Sequence, residues 1–423
     1  MEQTLFTEVL PLYKSKKNNS YTIRIRIRMQ DRIDYALLKL SVDTTMRRYP
    51  YFCVKLRTEG QGFVFEDNQR PVVVSASSHG MTLNGASSNY HMLTFSGYDN
   101  WIVVDVFHGL TDGTGTYEVI RTLLYYYCSN RYNVKLSSQG IRLVEEVVSA
   151  EEWECPVKKI VNLPPPPHYD LSPALNPAAE GKLHTDDLCT VYGIMTDEAA
   201  FMRFNRENGA SPATMVSLLL SRAMAKLFPR ASEAIRIILS VNQRKALHVS
   251  LAHQSLVGGA LLEYGEALRH LPLHEQVKAY RKMVSEQTTE NNVIVGVSNI
   301  VRLTQMMLSK STDKARIEIA TSVDKMASVI GSACVSYVGK ANFAEAEKYI
   351  QEFHTWSYST LPITIQMSAV NGKITFDFIQ KFHSSVFVNA FLKELAEQGI
   401  SCELQKGVPM KLPSIELPWN DEL

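Results

Sequence analysis

The most regular pattern in the chain is Tyr21-Thr-Ile-Arg-Ile-Arg-Ile-Arg28, where Ile23, Ile25 and Ile27 alternate with Arg24, Arg26 and Arg28. Successive side chains of a strand point to opposite faces, so this spacing predicts a half-buried strand. From about residue 31 to 48 the period lengthens, and Ile33, Leu37, Leu38, Leu40 and Met46 make one broad apolar stripe of a helix that Tyr49-Pro50 ends. The run Trp101-Ile-Val-Val-Asp-Val-Phe107 predicts another strand, and Val119, Ile120, Leu123 and Leu124 mark a helix over about 116–127.

The second half alternates in the same way. Thr196 is placed to cap a helix that stops at Gly209, and Ser211-Pro212 supplies a cap and a first helical residue. Strands are expected over 234–241, 315–321 and 334–338. The segments 361–370 and 373–380 flank Asn371-Gly372, a strong hairpin signal, and a helix over about 384–398 closes at Gly399. Between the halves, Val161-Asn-Leu-Pro-Pro-Pro-Pro-His-Tyr169 lacks backbone donors and favours extended chain. The expected organisation is thus an N-terminal domain over 1–160, a Pro-rich linker over 161–188 and a C-terminal domain over 189–423. Each domain mixes strands and helices in an α/β or α+β arrangement.

A chain of 423 residues, 45% hydrophobic and 21% charged, has the make-up of a folded globular protein of two to three domains. With 44 Lys plus Arg against 43 Asp plus Glu, it has no global field to favour nucleic acid or anionic lipid. Cys53, Cys128, Cys155, Cys189, Cys334 and Cys402 include no C-x-x-C pair, against a zinc site or a disulfide framework and in keeping with reduced thiols in a cytoplasmic protein. No targeting segment or membrane span is expected. The closing Asn420-Asp-Glu-Leu423 resembles a retention tail, which means nothing without a route into that compartment.

The chemistry concentrates in Val106-Phe-His-Gly-Leu-Thr-Asp-Gly-Thr-Gly-Thr116, with His108-x-x-x-Asp112-Gly113 between a strand and a helix. Alternation puts His108 on the face of Ile102, Val104 and Val106, at the end of an apolar row. A neutral imidazole there can take a proton from an alcohol, amine or thiol. Asp112 either orients His108 or turns away and pins the loop by pairing with an arginine, for which Arg24, Arg26 and Arg28 are the candidates. The plainer alternative is a core histidine beside a helix-capping aspartate.

Other signals carry less. Gly113-x-Gly115 opens a helix as a dinucleotide turn does, but Glu118 occupies the third glycine position. No G-x-S-x-G, P-loop or H-E-x-x-H sequence occurs. Lys14-Ser-Lys-Lys17 reads as a solvated basic loop or a contact for phosphopantetheine or a carrier protein, and His79, His91, His248 and His253 show no ligand spacing. No metal is expected.

The His108-x-x-x-Asp112-Gly113 junction resembles that of the chloramphenicol acetyltransferase-like acyltransferases, a superfamily that includes plant BAHD enzymes, alcohol acetyltransferases and condensation domains of peptide synthetases. Arg47-Arg48-Tyr49-Pro50, Val241-Asn-Gln-Arg244, Val335-Ser-Tyr-Val-Gly339 and the closing hairpin and helix are also similar. Many members carry two adjacent histidines, whereas Phe107 replaces the first here. The resemblance implies two related domains packed as a pseudo-dimer around a channel, with His108 and Asp112 as the catalytic motif and Gly113 a structural member of it. It implies His108 as general base and no acyl-enzyme, Asp112 acting structurally, and no bound cofactor. The co-substrate is an acyl-coenzyme A or an acyl-carrier thioester, with an acyl carrier protein as a possible partner and a small hydroxyl or amine acceptor. Ser336 is the candidate oxyanion donor, and Asn242 and Arg244 are structural or channel-lining. A non-catalytic binding module of the same fold and a thioester hydrolase are the rival readings.

Overall fold

The computed structural model describes residues 2–4, 6–16, 20–60, 62–160, 164, 172–178 and 185–419. The proline run (except Pro164), Lys17 and the tail over 420–423 lie outside the described residues.

The first part of the chain supplies strands β1 (Glu2–Thr4), β2 (Thr22–Met29), β3 (Val54–Glu59), β4 (Gly62–Asp67), β5 (Val74–Ser75), β6 (Leu93–Tyr98) and β7 (Trp101–Phe107). Its helices are α1 (Val9–Lys14), α2 (Tyr35–Arg48) and α3 (Gly113–Tyr132). The second part supplies β8 (Thr185–Asp197), β9 (Ile235–Asn242), β10 (Val257–Tyr264), β11 (Ala333–Lys340), β12 (Ile350–Ser357), β13 (Ile363–Val370), β14 (Lys373–Phe382), β15 (Glu403–Leu404) and β16 (Val408–Pro409). Its helices are α4 (Glu198–Glu207), α5 (Pro212–Leu227), α6 (Glu266–Arg269), α7 (Leu273–Gln287), α8 (Glu290–Leu308), α9 (Asp313–Ile330) and α10 (Val386–Glu397).

Two sheets dominate. The first is ordered β12-β2-β7-β6-β5, so a strand from the second part forms its edge, antiparallel to β2. The second, of eight strands, runs β10-β9-β11-β13-β14-β8-β15, with β16 also paired to β8. The strands β1, β4 and β3 make a small third sheet.

The isoleucine face of β2 is buried as expected, against Leu38 and Val42 of α2 and Ile120 and Leu123 of α3. The arginine face is not left to solvent. Arg24 is buried and makes a two-pronged pair with Asp105 of β7 at 2.7 and 2.9 Å, and Arg26 lies 4.3 and 4.5 Å from the ring centroids of Trp101 and Trp356. Arg24 also donates to the carbonyl of Lys411, and the Trp356 beside Arg26 comes from β12, a strand that arrives more than 300 residues after β2.

In the eight-stranded sheet the alternation is just as strict. Ile237 and Leu239 of β9, Val335 of β11, Ile365 of β13 and Phe376 and Phe378 of β14 join the core beneath α5 and α10. The intervening residues, among them Ser240, Ser336, Thr364, Gln366 and Asp377, face the other way. The 370–373 hairpin closes with Asn371 at φ 49° and Gly372 at φ 74°, the two positive values that a type I′ turn requires.

Two expectations need correction. Residues 315–321 lie in α9 and are not a strand. Ala-Arg-Ile-Glu-Ile-Ala-Thr alternates as a strand does, but Thr312 caps the helix by accepting from the amide of Ala315, and the buried positions Arg316 and Ala320 are four apart, the helical period. The cap of α4 is Asp197, one residue beyond Thr196.

Candidate active site

β7 ends at Phe107 and α3 starts at Gly113, so His108 stands in the turn between them. Its amide donates to the carbonyl of Tyr21 at 2.8 Å, and the Tyr21 ring lies 5.3 Å away, tilted by 36°. Nδ1 is buried without a hydrogen-bond partner among the described residues. Burial pulls the imidazole below its ordinary pKa, against the opposing influence of nearby backbone carbonyls of His108 and Thr111 and the charge of Asp112. The ring is therefore neutral at physiological pH, the state a base needs.

Asp112 does not hold His108. Its carboxylate caps α3, accepting from the amides of Thr114 at 3.0 Å and Gly115 at 3.3 Å. The same two oxygens receive Arg244 at 2.8 and 3.0 Å and the amide of Leu256 at 2.9 Å. The expected partner was Arg24, Arg26 or Arg28. Arg24 is committed to Asp105 instead, and Arg244, which the sequence marks only as structural or channel-lining, takes the role. Arg244 is itself fixed by the carbonyls of Ala252 at 2.6 Å and Gln254 at 2.7 Å. Both members of the pair are buried, Asp112 completely, so the ionic bond is unscreened by water.

The 243–256 loop between β9 and β10 thus grips the motif. Thr111 Oγ1 donates to the carbonyl of His253 at 2.5 Å, and Asn242 Nδ2 to Thr114 Oγ1 at 3.3 Å. Behind the loop, the His253 amide donates to the carbonyl of Glu152 at 2.8 Å, and the Glu152 carboxylate accepts Arg48 at 2.9 and 3.0 Å. His253 Nδ1 lies 2.5 Å from the Tyr51 hydroxyl, and burial with neighbouring arginines pushes its pKa down to about 4. Arg48 and Tyr51 therefore support the site at second hand, an arrangement the Arg47-Arg48-Tyr49-Pro50 segment did not disclose. A Cβ on Gly113 would sit 2.4 Å from Val338 Cγ2, so glycine is what permits α3 to start against β11.

A cavity of about 330 Å³ lies where the two sheets meet. His108, Asp112 and Gly113 reach it from one side, and Asn242 and Ser336 from the other. Arg244 stays behind Asp112, outside the lining. Lys14, read as part of a solvated loop, lines the cavity and pairs with Asp324 of α9 at 2.6 Å. Among the described residues there is no group of three His, Cys, Asp or Glu side chains able to hold a metal ion, and no helix is long and apolar enough to cross a membrane.

The fold recurs in solved structures. TRI101 of F. sporotrichioides, complexed with coenzyme A and T-2, superimposes with a TM-score of 0.61 at 11% identity, over 96% of this chain and 99% of that one. The first condensation domain of the CDA synthetase gives a TM-score of 0.61 at 11% identity, over 94% and 96% of the two chains. The chain has the chloramphenicol acetyltransferase-like fold. Polyketide synthase associated protein 5 of Mycobacterium tuberculosis is a further structure of this kind, with a TM-score of 0.59 at 12% identity over 88% of this chain and 93% of that one. The two-domain pseudo-dimer implied by the His108 motif is thus the architecture of the chloramphenicol acetyltransferase-like chain described above. No family model and no curated protein matches the sequence.

Proposed function

We propose that the protein is an acyltransferase that moves an acyl group from a coenzyme A or carrier-protein thioester to a hydroxyl or amine acceptor. The observation that carries this reading is a neutral, half-buried His108 at the wall of a cavity between two sheets, held by a motif that both parts of the chain build. The solved structures with this fold include TRI101 with coenzyme A and T-2 and condensation domains, which agrees with it.

In this mechanism Nε2 of His108 takes the proton of the acceptor as its oxygen or nitrogen bonds to the thioester carbonyl carbon. The carbonyl electron pair moves onto oxygen, and Ser336, which lines the cavity on β11, is the donor assigned to that oxyanion. When the carbonyl reforms, the carbon–sulfur bond breaks and the proton on His108 passes to the departing thiolate. No acyl group rests on the enzyme. Asp112 and Arg244 act at one remove by fixing the turn that carries His108. The domains in this reading are 1–160 and 189–423, joined by the 161–188 linker.

The test is mass-spectrometric detection of acylated product from purified protein, a panel of acyl-coenzyme A and carrier-bound donors, and pooled alcohols and amines. A product made by the wild type and not by His108→Ala supports the reading. Binding of donor without turnover across the panel points to a non-catalytic module, and free acid as sole product to a hydrolase.

A further inference from the structure

The cavity has two unlike walls. On one side stand Leu10 and Pro11 of α1, Val157, and Val297 and Ile300 of α8, apolar residues among which Thr7 and the paired Lys14 are the polar members. The other side is the outward face of the eight-stranded sheet, where Ser240, Asn242, Ser336, Thr364 and Gln366 line the space. This polarity is a property of the strand register. The same strands bury Leu239, Val335 and Ile365 on the face beneath α5, so each intervening position is free to carry a hydroxyl or an amide.

Register also gives the wall a scale. Val338, which Gly113 abuts, marks the motif end of β11. At ~3.3 Å per residue, Ser336 stands about 7 Å from it along the strand and Cys334 about 13 Å. Thr364 of β13 is the direct neighbour of Cys334 in the parallel pair. Thr364 is 2% exposed, lines the cavity, and its Oγ1 has no hydrogen-bond partner among the described residues. A hydroxyl so enclosed wants a partner, and the cavity is where one can stand. Ser240 Oγ has only a thiol sulfur at 3.9 Å near it, a weak contact.

The wall is neutral. The two lining residues that carry full charge are already matched, Lys14 by Asp324 and Asp112 by Arg244. Hydrogen-bonding groups without free charge select hydroxyl-bearing molecules over carboxylates, phosphates or ammonium ions.

Resting on the acyltransferase reading, we infer that the acceptor is a neutral polyhydroxylated molecule, which offers one hydroxyl to His108 and seats others on Ser240, Thr364 and the sheet between them. A site built to hydrogen-bond a hydroxyl discriminates strongly against an analogue that lacks it, because its own groups are then left unpaired.

The probes are myo-inositol, glucose and glycerol, each set against a monohydroxylated counterpart (cyclohexanol or 1-propanol). Binding is measured by calorimetry on the His108→Ala protein, which needs no turnover, and transfer from acyl-coenzyme A donors on the wild type. The expected result is binding of at least one polyol ten-fold or more tighter than its counterpart, with a matching ratio in kcat/KM. Thr364→Val, equal in shape, should cut that ratio ten-fold or more, through KM in the main, and Ser240→Ala supplies a second variant should the first misfold. Equal binding of polyols and monohydroxylated counterparts, no binding of any polyol, or an unchanged ratio in both variants overturns the inference. Polyol binding without transfer by the wild type leaves the inference standing and counts against the acyltransferase reading.

Discussion

Asp112 and Arg244 meet through two parallel hydrogen bonds, at 2.8 and 3.0 Å, across 132 residues of sequence. One contact thereby joins the start of α3 to the loop after β9, and the turn bearing His108 lies between the two parts it joins. Removing one partner leaves a buried charge unpaired, which costs ~3–5 kcal/mol. Arg244→Ala should lower unfolding free energy in urea by about that much and depress turnover as well. A loss of less than about 1 kcal/mol, the scale of an exposed pair, would count against the clamp.

His108→Ala should leave the far-ultraviolet circular dichroism unchanged and lower kcat/KM by roughly 10²–10⁴-fold, the usual share of a positioned base. Because burial holds the imidazole below its ordinary value of 6.5, the base form persists into mildly acid solution. The acid limb of the kcat/KM profile should fall below pH 6.5, and a limb above it contradicts the assigned environment.

Gly113→Ala should be costly beyond its loss of flexibility. The added methyl meets Val338 at 2.4 Å, and a β-branched side chain in a strand has few rotamers by which to yield. A destabilisation of roughly 1–3 kcal/mol is expected, as for other overpacked sites. Thermal unfolding of Gly113→Ala with Val338→Ala should recover a good part of it. No recovery would place the cost elsewhere.

A second buried ionic contact ties the two sheets. His354 of β12 lies 2.7 Å from Asp377 of β14 and 3.3 Å from Glu352. Burial opposes its charge, but Asp377 and Glu352 outweigh burial and Arg26 and raise its pKa from 6.5 to about 9. The folded protein therefore binds this proton more tightly than the unfolded chain. The resulting stability is complete below pH 6.5 and is lost as pH rises through about 9. Urea unfolding across that interval should show the decline, and His354→Gln should flatten it. An equal slope in the variant would exclude His354 as its source.

Much of this was legible in local sequence. The β2 strand with its buried isoleucine face, the Asn371-Gly372 turn, the Ser211-Pro212 helix start and the strand–motif–helix junction at His108 each depend on neighbours within a few residues, and each stands as read. What escaped depends on distance or on ambiguous periodicity. Arg24, Arg26 and Arg28 were the candidate partners for Asp112, but Asp105 is opposite Arg24 in the strand pairing and claims it. The Val241-Asn-Gln-Arg244 segment marks Arg244, but nothing local in it names Asp112, 132 residues away, as its partner. Ile317 and Ile319 alternate with charged residues as a strand would, and only the position of Thr312 before them signals a helix. The polar face of the eight-stranded sheet shows as single serines and threonines until β9, β11 and β13 lie side by side.

The edge of the first sheet is closed by Ile350–Ser357, a strand synthesised long after the β2 it covers. Until it emerges from the ribosome, the nascent N-terminal part exposes the backbone donors and acceptors of β2 to any passing strand. Contacts so far apart in sequence also slow folding. A fragment ending at the proline run is therefore expected to be an aggregating partial fold, and truncation libraries should yield soluble protein only when they extend past residue 357.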